Sequence, residues 1–150
     1  MEIVEFAPEH AEAFRTLNEA WISKHFVLEP KDREVLADPQ GKILAYGGKI
    51  FMAVKDGEPV GCVALLKMAD GGYELAKMTV AEAMRGAGLG RHLIQRCIEA
   101  GAADGAVRLY LESNSSLATA IGLYRSMGFQ HLAPAETPYA RADVFMERRY

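Results

Sequence analysis

The chain has 150 residues, 50% hydrophobic and 25% charged, with a net charge of −3. This is a length and balance that one globular domain covers, so residues 1–150 are read as a single domain. There is no basic arm or dense Lys/Arg run, which argues against nucleic acid as a partner. No apolar run approaches the ~20 residues of a bilayer span, so a membrane is not an expected partner. The start, MEIVEFAPEH, is acidic and lacks the layout of a signal peptide, and a cytoplasmic location is the expectation.

The elements can be taken in chain order. EIVEF reads as a first strand. PEHAEAFRTLNEAWISKHF carries Ala11, Phe14, Leu17, Trp21 and Ile22 at near-helical spacing, with Pro8 suited to a helix start. LEPKDREVLADP predicts a second helix ending near Asp38, and PQGKILAYGGK reads as a glycine-rich connection. IFMAVKDGEPVGCVALLKM is a hairpin around KDGEP, and YELAKMTV is the next strand after the turn ADGG. LGRHLIQRCIEAGAADG is an amphipathic helix, and AVRLYLES is a strand. SSLATAIGLYRSMGF is a second helix, with Leu117, Ala120, Ile121 and Tyr124 on one stripe and Gly128 at its end. FQHL and ARADVFMERRY supply the last strands. Three antiparallel strands followed by β-α-β-α-β make an α+β (mixed α/β) sheet with helices on both faces.

Cys62 and Cys97 form no C-x-x-C pair, and Cys97 shares a helical face with Leu93, Ile94 and Ile98, which reads as a buried small hydrophobe. His10, His25, His92 and His131 are scattered, so no metal site is expected.

MRGAGLG, between the strand and the amphipathic helix, places Gly86, Gly88 and Gly90 at alternate positions. Glycines there weaken both elements unless bare backbone is needed. A strand that ends in such a loop and opens a helix presents free N–H groups and the positive end of the helix dipole, a site for phosphate. Arg85 and Arg91 flank it and add charge-assisted hydrogen bonds. A nucleoside-triphosphate P-loop requires a hydroxyl residue where His92 stands. A dinucleotide fingerprint matches Gly86 and Gly88 but has Arg91 at its third glycine position, and the loop does not open the first β-α-β unit. Coenzyme A is a third option.

AKMTVAEAMRGAGLGRHLI resembles motif A of the GNAT superfamily of acetyl-CoA-dependent N-acetyltransferases. The signature falls on Arg85, Gly86, Ala87, Gly88, Leu89 and Gly90, with Val80 ending the strand. AIGLYRSMGF resembles a second family segment, with Ala120, Leu123, Tyr124, Gly128 and Phe129 in register. Many members carry Asn where this chain has Leu117, and Asn114 is expected to take that place near the pantetheine arm. The resemblance implies a GNAT-like, mostly antiparallel mixed sheet of roughly six or seven strands, splayed at the strand before the glycine loop. It also implies acetyl transfer from acetyl-CoA to an amine in a ternary complex, with no covalent enzyme intermediate.

Pantetheine is then expected along Met78, Thr79 and Val80, with an N–H near Met78 facing the oxyanion. Tyr124 matches the family's tyrosine acid, although its place on the apolar stripe also suits a core residue. Glu74 is the expected base and Glu112 its rival; either is otherwise a solvated or salt-bridged carboxylate, Glu74 with Lys77 as a natural partner. Strand alternation puts Glu74, Ala76 and Met78 on one face and Leu75, Lys77 and Thr79 on the other. The resemblance places the acceptor among Trp21, His25, Phe26, Tyr139 and Arg141. Arg141 suits a substrate carboxylate, or is simply a solvated arginine. A small-molecule amine is the expected acceptor; the alternatives are a peptide or protein acceptor, or a non-catalytic acyl-CoA-binding module. By analogy the last strand could pair across a two-fold axis, giving a homodimer.

Overall fold

The computed structural model describes residues Met1 to Tyr150. One seven-stranded sheet runs in the order β1-β2-β3-β4-β5-β7-β6. Its strands are β1 (Glu2–Glu5), β2 (Lys49–Lys55), β3 (Glu58–Lys67), β4 (Tyr73–Val80), β5 (Arg108–Ser113), β6 (Gln130–His131) and β7 (Val144–Arg149). All neighbours are antiparallel except β4 and β5. The turn between β2 and β3 places Asp56 and Gly57 at positive φ (52° and 80°), the backbone a two-residue hairpin with right-handed twist requires.

The sheet separates two cores. Helices α1 (Ala11–His25) and α2 (Pro30–Ala37) cover one face, where Phe14, Ile22, Leu36, Ile50, Met52 and Cys62 pack. Helices α4 (Leu89–Ala103) and α5 (Ala118–Ser126) cover the other, where Phe51, Val63, Leu65, Leu75, Leu93 and Leu109 pack. β2 feeds both through simple alternation, Ile50 and Met52 one way, Phe51 and Ala53 the other. Each such fully buried Leu, Ile or Phe stabilises by about 1.5–3 kcal/mol. Cys97 is buried among them.

Three details depart from the sequence reading. PQGKILAYGGK is not an open connection: a short helix α3 (Pro39–Lys42) and a 3-10 turn (Leu44–Tyr46) run through it. Asp38 accepts the Gly41 N–H at 2.9 Å and Pro39 opens the turn. Second, α5 starts at Ala118, because Ser115 and Ser116 are held in a turn by Asp143 and Asn114. Third, β7 lies between β5 and β6, and β6 covers Met146 and Glu147. On that edge β6 pairs only these two residues of β7.

The departure that shapes the site is in β4. Cys62 pairs Thr79 but Ala64 pairs Ala76, so Val63 alone faces both Lys77 and Met78. This is a β-bulge, and Lys77 takes the left-handed conformation with φ 55°. The extra residue flips the alternation. Before the bulge Glu74 stands opposite Leu66, on the α1/α2 face, and Leu75 points to the α4 core. After it Met78 and Val80 pack against the α4 core, while Thr79 Oγ1 donates to Leu17 O of α1 at 3.4 Å. Glu74 and Lys77 thus share a face, and Met78 leaves it, opposite to the expected arrangement.

Candidate active site

Beyond the bulge β4 has no partner on the β5 side. The two parallel strands are joined only at Tyr73–Leu109 and Glu74–Tyr110. From there they diverge, as expected for the strand before the glycine loop, and a cavity of about 910 Å³ opens between them. Unpaired strand edges present backbone donors and acceptors, so the cleft is polar along Met78–Val80 and apolar along Leu117 and Leu123 of the α5 side. The bulge that opens it is braced from α1: Cys62 Sγ donates to the Lys77 carbonyl at 3.6 Å and accepts from Asn18 Nδ2 at 3.4 Å. That thiol gives the carbonyl at the bulge a side-chain donor.

At one mouth stands the glycine loop, with Arg85 lining the cavity. Gly86 and Gly88 have φ of 80° and 77°, and a Cβ on either would meet nothing within 4 Å. Gly90 differs: its Cβ would touch Leu123 at 3.4 Å, so it serves the packing of α4 on α5. No side chain caps α4, and the N–H groups of Gly86 through Arg91 have no partner in the protein. Six consecutive free donors at a helix N-terminus are a cradle for an anion. Leu89 contributes only its N–H, since its side chain is core, and Arg91 reaches across to Ser126 Oγ at 3.1 Å.

Deeper in, two polar groups face the cavity without partners. Glu74 makes no hydrogen bond or salt bridge; burial, then the like charge of Glu112, pushes its carboxyl up to about 7, against the opposing pull of Lys77. Tyr124 packs its ring on Phe129 and lines the cavity, and its hydroxyl bonds no protein group yet is not sealed in. Burial pushes that hydroxyl up to about 12, which keeps it a donor at neutral pH. Glu112 is in a different state. One carboxylate oxygen accepts from Tyr110 at 2.8 Å, and the other accepts from Thr137 at 2.5 Å.

The same cavity brings together Trp21, His25, Phe26, Tyr139 and Arg141, from helix α1 and the loop before β7. Trp21, His25 and Phe26 stack on one another with centroids 5.0–6.4 Å apart. Arg141 is neither solvated nor free. Its Nη1 and Nη2 each sit 2.7 Å from an Asp32 oxygen, and Glu29 Oε2 lies 3.2 Å from Nη1. Lys77 Nζ donates to the same Asp32 at 2.6 Å and to Tyr139 Oη at 3.1 Å, so Glu74 is not its partner. The Tyr139 ring packs against both cations, its centroid 4.7 Å from Lys77 Nζ and 4.6 Å from Arg141 Cζ. Side-chain exposure is 0% for Asp32 and 6% for Lys77. Burial alone would raise the Asp32 pKa, but hydrogen bonds from Arg141, Lys77 and the Glu29 N–H hold it down to about 2. Removing one member of such a buried set costs about 3–5 kcal/mol.

Asn114 lines the cavity and also has a structural task. Its Nδ2 donates to Arg141 O at 2.7 Å and its Oδ1 accepts from Ser116 N at 2.8 Å. Together with Ser115–Asp143 at one end and Ala140 N–Glu29 at the other, it pins the loop before β7 across the cavity. Asp32, Glu29, Lys77 and Thr137 are the residues sequence reasoning missed or misassigned. Asp32 sits three residues after Glu29 in the first turn of α2, where an acid reads as an ordinary helix start.

The acetyltransferase (GNAT) family model matches residues 8–129. A protein of Azospirillum brasilense named IAA acetyltransferase is 35% identical over 120 residues, 78% of this chain and 73% of that protein. The crystal structure of a GNAT-family acetyltransferase from Staphylococcus aureus MU50 superposes with a TM-score of 0.89 at 19% identity, covering 99% of this chain and 98% of that one. The PaiA N-acetyltransferase of Thermoplasma acidophilum, solved in complex with coenzyme A, gives a TM-score of 0.79 at 17% identity over 99% and 98% of the chains. At these identities the two structures speak for the fold, and the family match goes further: the chain belongs to the acetyltransferase (GNAT) family.

Proposed function

We propose that the protein is an acetyl-CoA-dependent N-acetyltransferase acting on the primary amine of a small molecule by direct attack. The observation that carries this reading is the splayed cleft, with free amides at one mouth and the uncommitted Glu74 carboxyl and Tyr124 hydroxyl inside. The residues present fit acetyl-CoA. The amides of Gly86–Arg91 suit a pyrophosphate, and Gly86 and Gly88 leave open space where side chains would stand. Arg85 adds charge at the same mouth, and the unpaired edge of β4 at Met78, Thr79 and Val80 suits an extended amide-bearing arm. When bound, acetyl-CoA supplies an acyl carbon to which the amine forms a C–N bond as the C–S bond breaks and CoA leaves as the thiol.

Glu74 takes a proton from the incoming ammonium, because its pKa near 7 makes it basic enough to accept one and ionised enough to be available. Tyr124 holds its proton at neutral pH and donates it towards the departing sulfur. Glu112 does not serve as the base: its two oxygens are held by Tyr110 and Thr137, and its charge raises the basicity of Glu74.

Calorimetric titration with acetyl-CoA, with NAD and ATP as controls, tests the cofactor, and thiol release on adding a primary amine tests the reaction. Micromolar acetyl-CoA binding without a response to NAD or ATP is expected. In the same assays Tyr124→Phe keeps the affinity and loses about tenfold or more in kcat. A non-catalytic acyl-CoA-binding module would bind the cofactor and release no thiol with any amine.

A further inference from the structure

The inner acceptor pocket holds two cations, Lys77 and Arg141, and one buried carboxylate engages both. Asp32 itself does not line the cavity; it acts through the side chains that do. We propose that Asp32 determines the acceptor class: by holding Lys77 and Arg141 it leaves neither of these inner cations uncommitted for a carboxylate, so the site takes a primary amine on an apolar or aromatic body with no carboxylate beside the amine. The proposal rests on the N-acetyltransfer reading above and narrows its acceptor.

The charges around the pocket point the same way. Glu29, Asp32, Glu74 and Glu112 stand against Lys77 and Arg141. A carboxylate brought beside Glu74 meets like charge on β4 and β5, whereas an ammonium meets attraction. Lys77 has given two of its three donors to Asp32 and Tyr139, and both terminal nitrogens of Arg141 are engaged by carboxylates. Two further cations line the cavity outside this pair: Lys31, an exposed residue at the start of α2 with Glu34 at 3.9 Å, and Arg85 at the glycine-loop mouth. The walls left for the body of the acceptor are Trp21, Phe26, Val35 and Leu66, all apolar. A buried group that recognises by refusing charge gives selectivity through the competitor it excludes.

The test uses matched pairs that differ by one carboxylate: phenethylamine against phenylalanine, and isopentylamine against leucine. With the wild-type protein and saturating acetyl-CoA, kcat/KM for each amine is expected to exceed that of its amino acid at least tenfold. Parity, or preference for the amino acid, overturns the proposal while leaving N-acetyltransfer intact. Acetyl-CoA binding with no transfer to any of the four also overturns it, and absence of acetyl-CoA binding overturns the reading beneath it. Asp32→Asn then addresses the residue. Releasing Lys77 and Arg141 is expected to lower the amine-to-amino-acid ratio at least tenfold. A parallel fall for both members of a pair, with the ratio unchanged, would make Asp32 a framework residue and overturn its assignment. The wild-type comparison stands whether or not that variant folds.

Discussion

The two ends of the cleft are built by opposite strategies. The glycine-loop mouth is made from consecutive residues, Arg85 to Arg91, and works through backbone: free N–H groups, positive φ, absent side chains. The acceptor end is made from side chains that converge from α1, α2, β4 and the loop before β7, with Asp32 and Arg141 more than a hundred positions apart. The first is a local solution to binding one kind of group and transfers between proteins as a short motif. The second is a long-range construction whose composition can change while the fold stays the same. The proposed chemistry lies where the two meet, at Glu74 and Tyr124.

The largest effect that tests this division is on Glu74. Glu74→Gln removes the proton acceptor and leaves the loop untouched, so kcat/KM should fall about 10²–10⁴-fold with acetyl-CoA affinity unchanged. The wild-type rate should rise with pH through about 7 as the carboxyl ionises, and the variant should lose that limb. A pH–rate profile with the same limb in the variant would move the base elsewhere. Gly88→Val gives the converse, smaller change. A Cβ there meets nothing, so the fold survives, but a branched side chain at φ 77° strains the loop and stands in front of the free amides. Acetyl-CoA affinity should drop about 10-fold or more, read by calorimetry. An unchanged affinity would detach the loop from cofactor binding.

The same division decides what was legible in the sequence. Alternation and helical spacing placed the longer strands and the four longer helices, because each buries an apolar face whose period survives in the sequence. The glycine loop was legible for the same local reason. The face of Glu74 was not. One residue, Lys77, adopts a left-handed conformation with no glycine to advertise it, and the bulge reverses the facing of everything after it. Lys77 holds that conformation through Asp32, Tyr139 and the Cys62 thiol, which are 45, 62 and 15 positions away. Arg141 and Asn114 were legible as polar residues near the site, but their partners belong to loops whose meeting no periodicity records. Side chains free to act and side chains spent on structure look alike in a sequence. They separate only when the hydrogen bonds are counted: Glu74 has none and Glu112 has two.

The smallest predicted effect concerns what that freedom costs the fold. In the native chain the Glu74 carboxyl titrates near 7 instead of its ordinary 4.5, because burial and Glu112 disfavour its charge. Between those two pH values the folded state holds a proton that the unfolded state releases, so stability falls as pH rises through this window. Above it the loss is on the order of 2 kcal/mol, after allowing for screening at the open side of the cavity. Glu74→Gln removes the titration and abandons no hydrogen bond, so at pH 8 the variant should melt several degrees above wild type. At pH 5, where Glu74 is protonated in the native state, the difference should largely vanish. A variant that is less stable at pH 8, or stabilised equally at both values, would mean that Glu74 is anchored by contacts the geometry lacks. In that case the acceptor end would not be where the fold gives up stability for chemistry.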